Sequence, residues 1–133
     1  MSRKLDDLHP DFKQKVFVLL ARTIEMNLPV VIVDTLRTQA EHEENLRKGV
    51  SWTKHSKHLD GKAIDLCPVK SYMGPGTTKA NWDEVNPDWW VIGKLGERLG
   101  LKWGVWKESS AKVEAWRRRE KYINIDLGHF EMP

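Results

Sequence analysis

Little in this sequence is given over to crosslinking, membrane spanning or repetition. Its 133 residues hold a single cysteine, Cys67, which excludes an internal disulfide and suits a reducing compartment. No run of about 18 or more apolar residues occurs, so no segment reads as a transmembrane helix. The opening stretch, Met1-Ser-Arg-Lys-Leu-Asp-Asp7, lacks the apolar core of a secretory signal. The expectation is a cytoplasmic chain that meets an outer target only when something else releases it. Internal repeats, low-complexity tracts and linker-like segments are missing too, which leaves residues 1–133 as a single domain. Net charge is small, +3 with the histidines neutral. That surplus speeds encounter with any polyanion, whether nucleic acid, membrane or acidic cell wall, and selects none of them.

What is present is the mixture of a soluble globular domain, 40% hydrophobic and 31% charged. Seven tryptophans are many for this length; most are expected in the core, with one or two lining a groove. Leu8, Phe12, Val16, Leu20 and Ile24 recur at near-helical spacing, and Pro10 suits a first turn. The pattern predicts a helix over 10–26, ending near Asn27 and Pro29. Val30-Val-Ile-Val-Asp-Thr-Leu36 has the short β-branched run of a buried strand. Thr38 with Glu41 makes a capping box and Gly49 suits the position past a last turn, so a helix is expected over 39–48. Residues 50–61 read as loop, 62–67 as a strand stopped by Pro68, and Met73-Gly-Pro-Gly-Thr-Thr78 as an irregular loop. Asn86-Pro87 opens a helix that stops at Gly100, and 109–120 suits a short charged helix. Tyr122–Asp126 and His129–Met132 are expected as strands interrupted by Leu127-Gly128. Helices with a few strands and no regular βαβ alternation give an α+β domain, a small mixed or antiparallel sheet flanked by about three helices.

Two segments carry chemistry. In Ser56-Lys-His-Leu-Asp-Gly-Lys-Ala-Ile-Asp65, His58 and Asp65 are candidate metal ligands, a catalytic zinc taking three protein ligands from His, Asp, Glu or Cys. Seven residues apart on an unbroken strand they would face opposite sides. Gly61 offers the turn that carries His58 back over the strand. Ile64 and Leu66 are expected to face the core, with Ala63 and Asp65 facing the other way. In Asp126-Leu-Gly-His-Phe-Glu131, Gly128 is the expected bulge that brings Asp126 and His129 to one face. His129 would complete the metal site, Asp126 would stand beside it as a general base, and Glu131 would accept a hydrogen bond from the His129 imidazole. Spacing alone leaves a loop histidine and structurally paired carboxylates as alternatives, although an Asp inside an apolar strand needs a strong partner.

The two segments resemble the signature of the LAS-type zinc peptidases. That family comprises D-alanyl-D-alanine carboxypeptidases and dipeptidases and bacteriophage L-alanyl-D-glutamate endolysin peptidases. Ser56, His58, Gly61, Ala63 and Asp65 meet its first motif; Asp126, His129, Phe130 and Glu131 meet its second. Arg37-Thr38, at the end of an early strand, matches a third. The helix with Trp89 and Trp90 and the Trp103-Gly104 turn resemble the endolysin branch. The resemblance spans about residues 30–131 and implies a hedgehog- and DD-peptidase-like fold. It implies zinc on His58, Asp65 and His129, with Asp126 as catalytic base. Arg37 would stabilise the substrate carbonyl oxygen or a neighbouring carboxylate, and Ser56 would bond substrate or fix the loop. One departure is His42, where members often carry Gln; His9, His42 and His55 read as structural or exposed.

The implied reaction is hydrolysis of a peptidoglycan stem-peptide bond. The endolysin-like layout, short chain and missing anchor favour the L-Ala–D-Glu bond over a terminal D-Ala–D-Ala bond. They describe a monomeric lysin of the host cytoplasm that reaches the wall through a membrane pore, with no nucleic-acid partner and no stable membrane association. The competing class is a non-enzymatic module binding nucleic acid or wall polymer through Arg117-Arg-Arg119, Trp116 and Lys121. The simpler account of that run is a solvated helix face.

Overall fold

Pro10 opens the first helix, α1 (Pro10–Glu25), where its missing N–H costs nothing, and His9 caps it by accepting from the Asp11 N–H through Nδ1 at 3.2 Å. The computed structural model describes residues 2–49, 57–71 and 79–133. Strand β1 (Val30–Asp34) follows, then α2 (Gln39–Arg47), whose expected capping box forms in full between Thr38 and Glu41. Asn27 (φ 57°) and Gly49 (φ 72°) take the left-handed turn past the ends of α1 and α2. A 3₁₀ turn at Lys57–Asp60 leads into β2 (Ala63–Ser71), and β3 is the short pair Lys79–Ala80. Helix α3 (Asp88–Arg98) precedes β4 (Lys102–Trp103), a 3₁₀ turn at Gly104–Lys107, α4 (Ser110–Arg117) and β5 (His129–Glu131).

The strands form one antiparallel sheet in the order β1-β2-β5-β4, with β3 beside β2. One face packs on α1 and α3. Phe12, Val16 and Leu19 of α1, Trp89 and Ile92 of α3, and Ile64, Leu66, Trp103 and Phe130 of the sheet are all buried there. Two segments add to the sheet margin. Ser2 donates to the Leu36 carbonyl and accepts from the Thr35 N–H, and the Arg3 guanidinium reaches the Val33 carbonyl. These bonds lie at the end of β1 and on the two residues that follow it.

The architecture is α+β as expected, with four α-helices. Two boundaries differ. Pro68 does not stop β2, which continues to Ser71: the ladder donor it lacks is compensated by its neighbours, Val69 donating to Pro29 O at 3.0 Å and Pro68 O accepting from Asn81 N at 2.7 Å. Residues 122–126 do not form a strand. The Glu84 carboxylate takes the backbone N–H groups of Ile123 (2.7 Å) and Asn124 (2.9 Å), and Asn124 turns left-handed at φ 54°. Those donors are therefore lost to any ladder. The loop expected over 73–78 lies outside the described residues.

Candidate metal centre

The register of the sheet decides which side chains meet. Asp65 of β2 lies opposite Asp34 of β1 on one side and His129 of β5 on the other. Two residues along, Ala63 faces Glu131, which in turn lies opposite Lys102 of β4. Alternation places Ile64, Phe130 and Trp103 on the core face and these residues on the other. The expected division of β2, with Ile64 and Leu66 inward and Asp65 away from the core, is what forms.

His58 enters from the 3₁₀ turn above the strand. Gly61 makes the expected reversal at φ 67°, and a Cβ there would lie 2.9 Å from both the Asp7 carbonyl oxygen and the His9 nitrogen. The His58 ring is buried, with Nδ1 2.9 Å from the Thr35 carbonyl oxygen. A carbonyl only accepts, so Nδ1 donates to it, and Nε2 lies 3.3 Å from Asp65 Oδ2. His129 is fixed the other way round: Nε2 is 2.8 Å from Glu131 Oε1 and Nδ1 is 3.0 Å from Asp65 Oδ1. The donor atoms of His58, Asp65 and His129 all lie within 4.8 Å of one another.

Charge in this cluster is strongly coupled. Burial opposes ionisation of Asp65, yet hydrogen bonds from His129 and His58 outweigh it and hold the carboxyl well below the usual carboxylate range. Burial likewise disfavours a charged His129, but its bonds to Asp65 and Glu131 and the nearby Asp126 charge raise the imidazole to about 9. Glu131 is pulled down, against its burial, by His129 and by the charges of Lys57 and Lys107. Asp126 moves the opposite way, up to about 6, through partial desolvation by its neighbours and the Asp65 charge. Its side chain remains 61% exposed, so water moderates that rise.

Asp126 Oδ2 is 4.0 Å from His129 Nδ1. The device that brings it there is a turn and not a bulge: His129 N donates to Asp126 O at 3.3 Å. Gly128 is needed for close approach, since a Cβ would fall 2.1 Å from the Leu66 carbonyl oxygen. Arg37 is 2.9 Å from Asp34 Oδ2 and borders a recess of about 350 Å³ lined also by Ala40, Glu41, Glu44 and Asn45. Ser56 and His55 lie outside the described residues. His42 is buried on α2, the structural alternative of the two considered. Of the arginine run, Arg117 and Arg118 face Glu114 at 3.8 and 3.1 Å, the geometry of a solvated helix face.

Sequence reasoning passed over two residues. Asp34 is buried at the end of β1, on Arg37 and 4.0 Å from His58 Nδ1. Its signal was available, a carboxylate closing an apolar strand. Trp106 stacks on His129 with ring centroids 6.0 Å apart and planes at 29°. Only the tryptophan count hinted at it.

Fold and cluster together define an α+β protein in which His58, Asp65 and His129 could hold a metal ion on one sheet face, with the Asp126 carboxylate beside them. The chain belongs to the phage L-alanyl-D-glutamate peptidase family, which residues 1–132 match. It is therefore a peptidase for the L-alanyl-D-glutamate bond, with the peptidoglycan stem peptide as substrate. The solved L-Ala D-Glu endopeptidase ChiX of Serratia marcescens is similar in fold, at TM-score 0.62 and 24% identity, over 97% of this chain and 83% of that chain. No protein of curated function matches. Among the described residues, no helix is long and apolar enough to cross a membrane.

Proposed function

We propose that the chain is a zinc-dependent endolysin peptidase in which His58, Asp65 and His129 hold the metal. The observation that carries this reading is the pair of histidine orientations. Thr35 O fixes one ring nitrogen of His58 and Glu131 fixes one of His129, so that the remaining nitrogen of each converges on Asp65. Two imidazoles and one carboxylate are a donor set that would suit a catalytic zinc. Other divalent ions of the first row fit the same donors, and availability selects among them. Bound there, zinc would supply Lewis acidity toward the scissile carbonyl and acidify water.

The remaining work falls to the protein. Asp126 accepts a proton from the attacking water and passes it to the departing amine. Its exposure and its distance from the cluster let it reach substrate while remaining off the metal. Asp34 anchors one N–H of the Arg37 guanidinium, leaving the others to stabilise the developing oxyanion. Ser56 contacts substrate or fixes its loop. In this reading the chain is a monomer held in the host cytoplasm until a membrane pore admits it to the wall.

Zinc content measured beside digestion of purified peptidoglycan tests the proposal. One zinc per chain, with new N-terminal D-Glu and free L-Ala carboxyl ends by mass spectrometry, is expected. Cleavage that survives complete removal of metal would overturn it.

A further inference from the structure

The turn after β4 is pressed onto the metal-bearing segment. A Cβ at Gly104 would lie 1.9 Å from the Asp126 carbonyl oxygen, so only glycine allows this approach. The contact sets Trp106 against His129 while leaving 36% of the residue open to solvent. Two ammonium groups stand over its indole, Lys107 Nζ at 5.0 Å and Lys102 Nζ at 5.7 Å from the ring centroid. Among the described residues neither has a carboxylate at ion-pair distance, whereas Lys94, Lys112 and Arg37 are matched to Glu97, Glu108 and Asp34.

We infer that Trp106, Lys102 and Lys107 form a subsite for the free carboxylate of the substrate D-Glu, seating that half of the stem peptide over the indole. The inference deepens the proposed peptidase reading and rests on it. D-Glu has two carboxyl groups and the onward chain uses one, so an anion remains beside the scissile bond. The L-Ala side leads to glycan and brings no such charge. The spacings from His129 to Trp106 and from Trp106 to Lys107 together match at most about three residues of extended peptide at ~3.4 Å each. A carboxylate next to the scissile bond falls inside that reach. Asp34, Asp65, Asp126 and Glu131 make the surrounding face acidic, and an anionic substrate needs cations that are not closed into ion pairs to approach it. Two lysines over an apolar plate give charge-assisted hydrogen bonds to the carboxylate and a surface for the D-Glu methylenes.

The experiment uses two soluble peptides identical except that the D-Glu carboxylate is free in one and a carboxamide in the other. The wild-type chain should favour the carboxylate in kcat/KM by about tenfold or more, mostly through KM. In K102Q/K107Q that ratio should fall to near unity, with zinc content and Tm unchanged. W106L should raise KM for both peptides. A wild-type enzyme indifferent to the carboxylate, or a double variant that keeps the full preference, would overturn the subsite while leaving the peptidase intact. Cleavage of neither peptide by the wild type would remove the underlying reading and the subsite with it.

Discussion

The His129 ring sits between two carboxylates, and in the metal-free chain it answers by keeping a proton. Its folded pKa of about 9 lies above the ordinary value of 6.5. The stabilisation is therefore complete below about pH 6.5 and is lost as pH rises through about 9. Calorimetry of chelator-treated protein should show Tm falling by several degrees between those limits; a flat profile would show that Asp65 and Glu131 do not hold that proton. A metal on Nδ1 must displace it, so zinc uptake at pH 7 should release about one proton, read from titrations in buffers of different ionisation enthalpy. Asp126→Asn should keep the zinc and lower kcat by about 10²–10⁴-fold, a separation that loss of His58 or His129 would not show. Glu131→Gln should weaken metal affinity by about 10–100-fold, measured by competition with a chromogenic chelator. The chemistry-bearing residues were legible because their side chains have few other uses: a histidine beside a glycine and an aspartate inside an apolar strand call for partners. Asp34 and Trp106 were not legible as site residues, because their roles arise from neighbours that only the sheet register supplies.

At the scale of elements, local signals survived and distant ones did not. The Thr38–Glu41 box, the Pro10 helix start, the helix end near Asn27 and the Gly49 position past a last turn are decided within a turn of chain, and each forms as the sequence indicates. The expected strand over 122–126 fails because Glu84, some 39 residues earlier, captures two of its donors. That bond sets the course of the segment entering the Asp126 turn. Glu84→Ala should cost about 1–3 kcal/mol by leaving those N–H groups without their acceptor. It should also reduce kcat more than it alters KM, since Asp126 would lose its fixed approach; thermal melts and steady-state kinetics together check this. Pro68 misled for a related reason, because whether a proline ends a strand depends on the hydrogen bonds its neighbours find.

For the whole molecule, the α+β class followed from the mixture of element patterns, while the strand order did not, because nothing local states that the last strand inserts between β2 and β4. That insertion brings His129, 64 residues beyond Asp65, into the cluster with His58 and Asp65, so a metal held there as proposed would tie together parts of the chain far apart in sequence. Zinc at about 1,000 times its Kd should add about 4 kcal/mol to stability, seen as a rise in Tm that a chelator reverses. The sheet margin has a further consequence. An uncovered strand edge is a template onto which a second chain can add. Ser2, bonded to Thr35 and Leu36, and Arg3, bonded to the Val33 carbonyl, take up part of that template where β1 ends. The N-terminal residues thus blunt the border at the end of β1, and removing residues 1–3 should make the chain more prone to associate at high concentration, measured by light scattering.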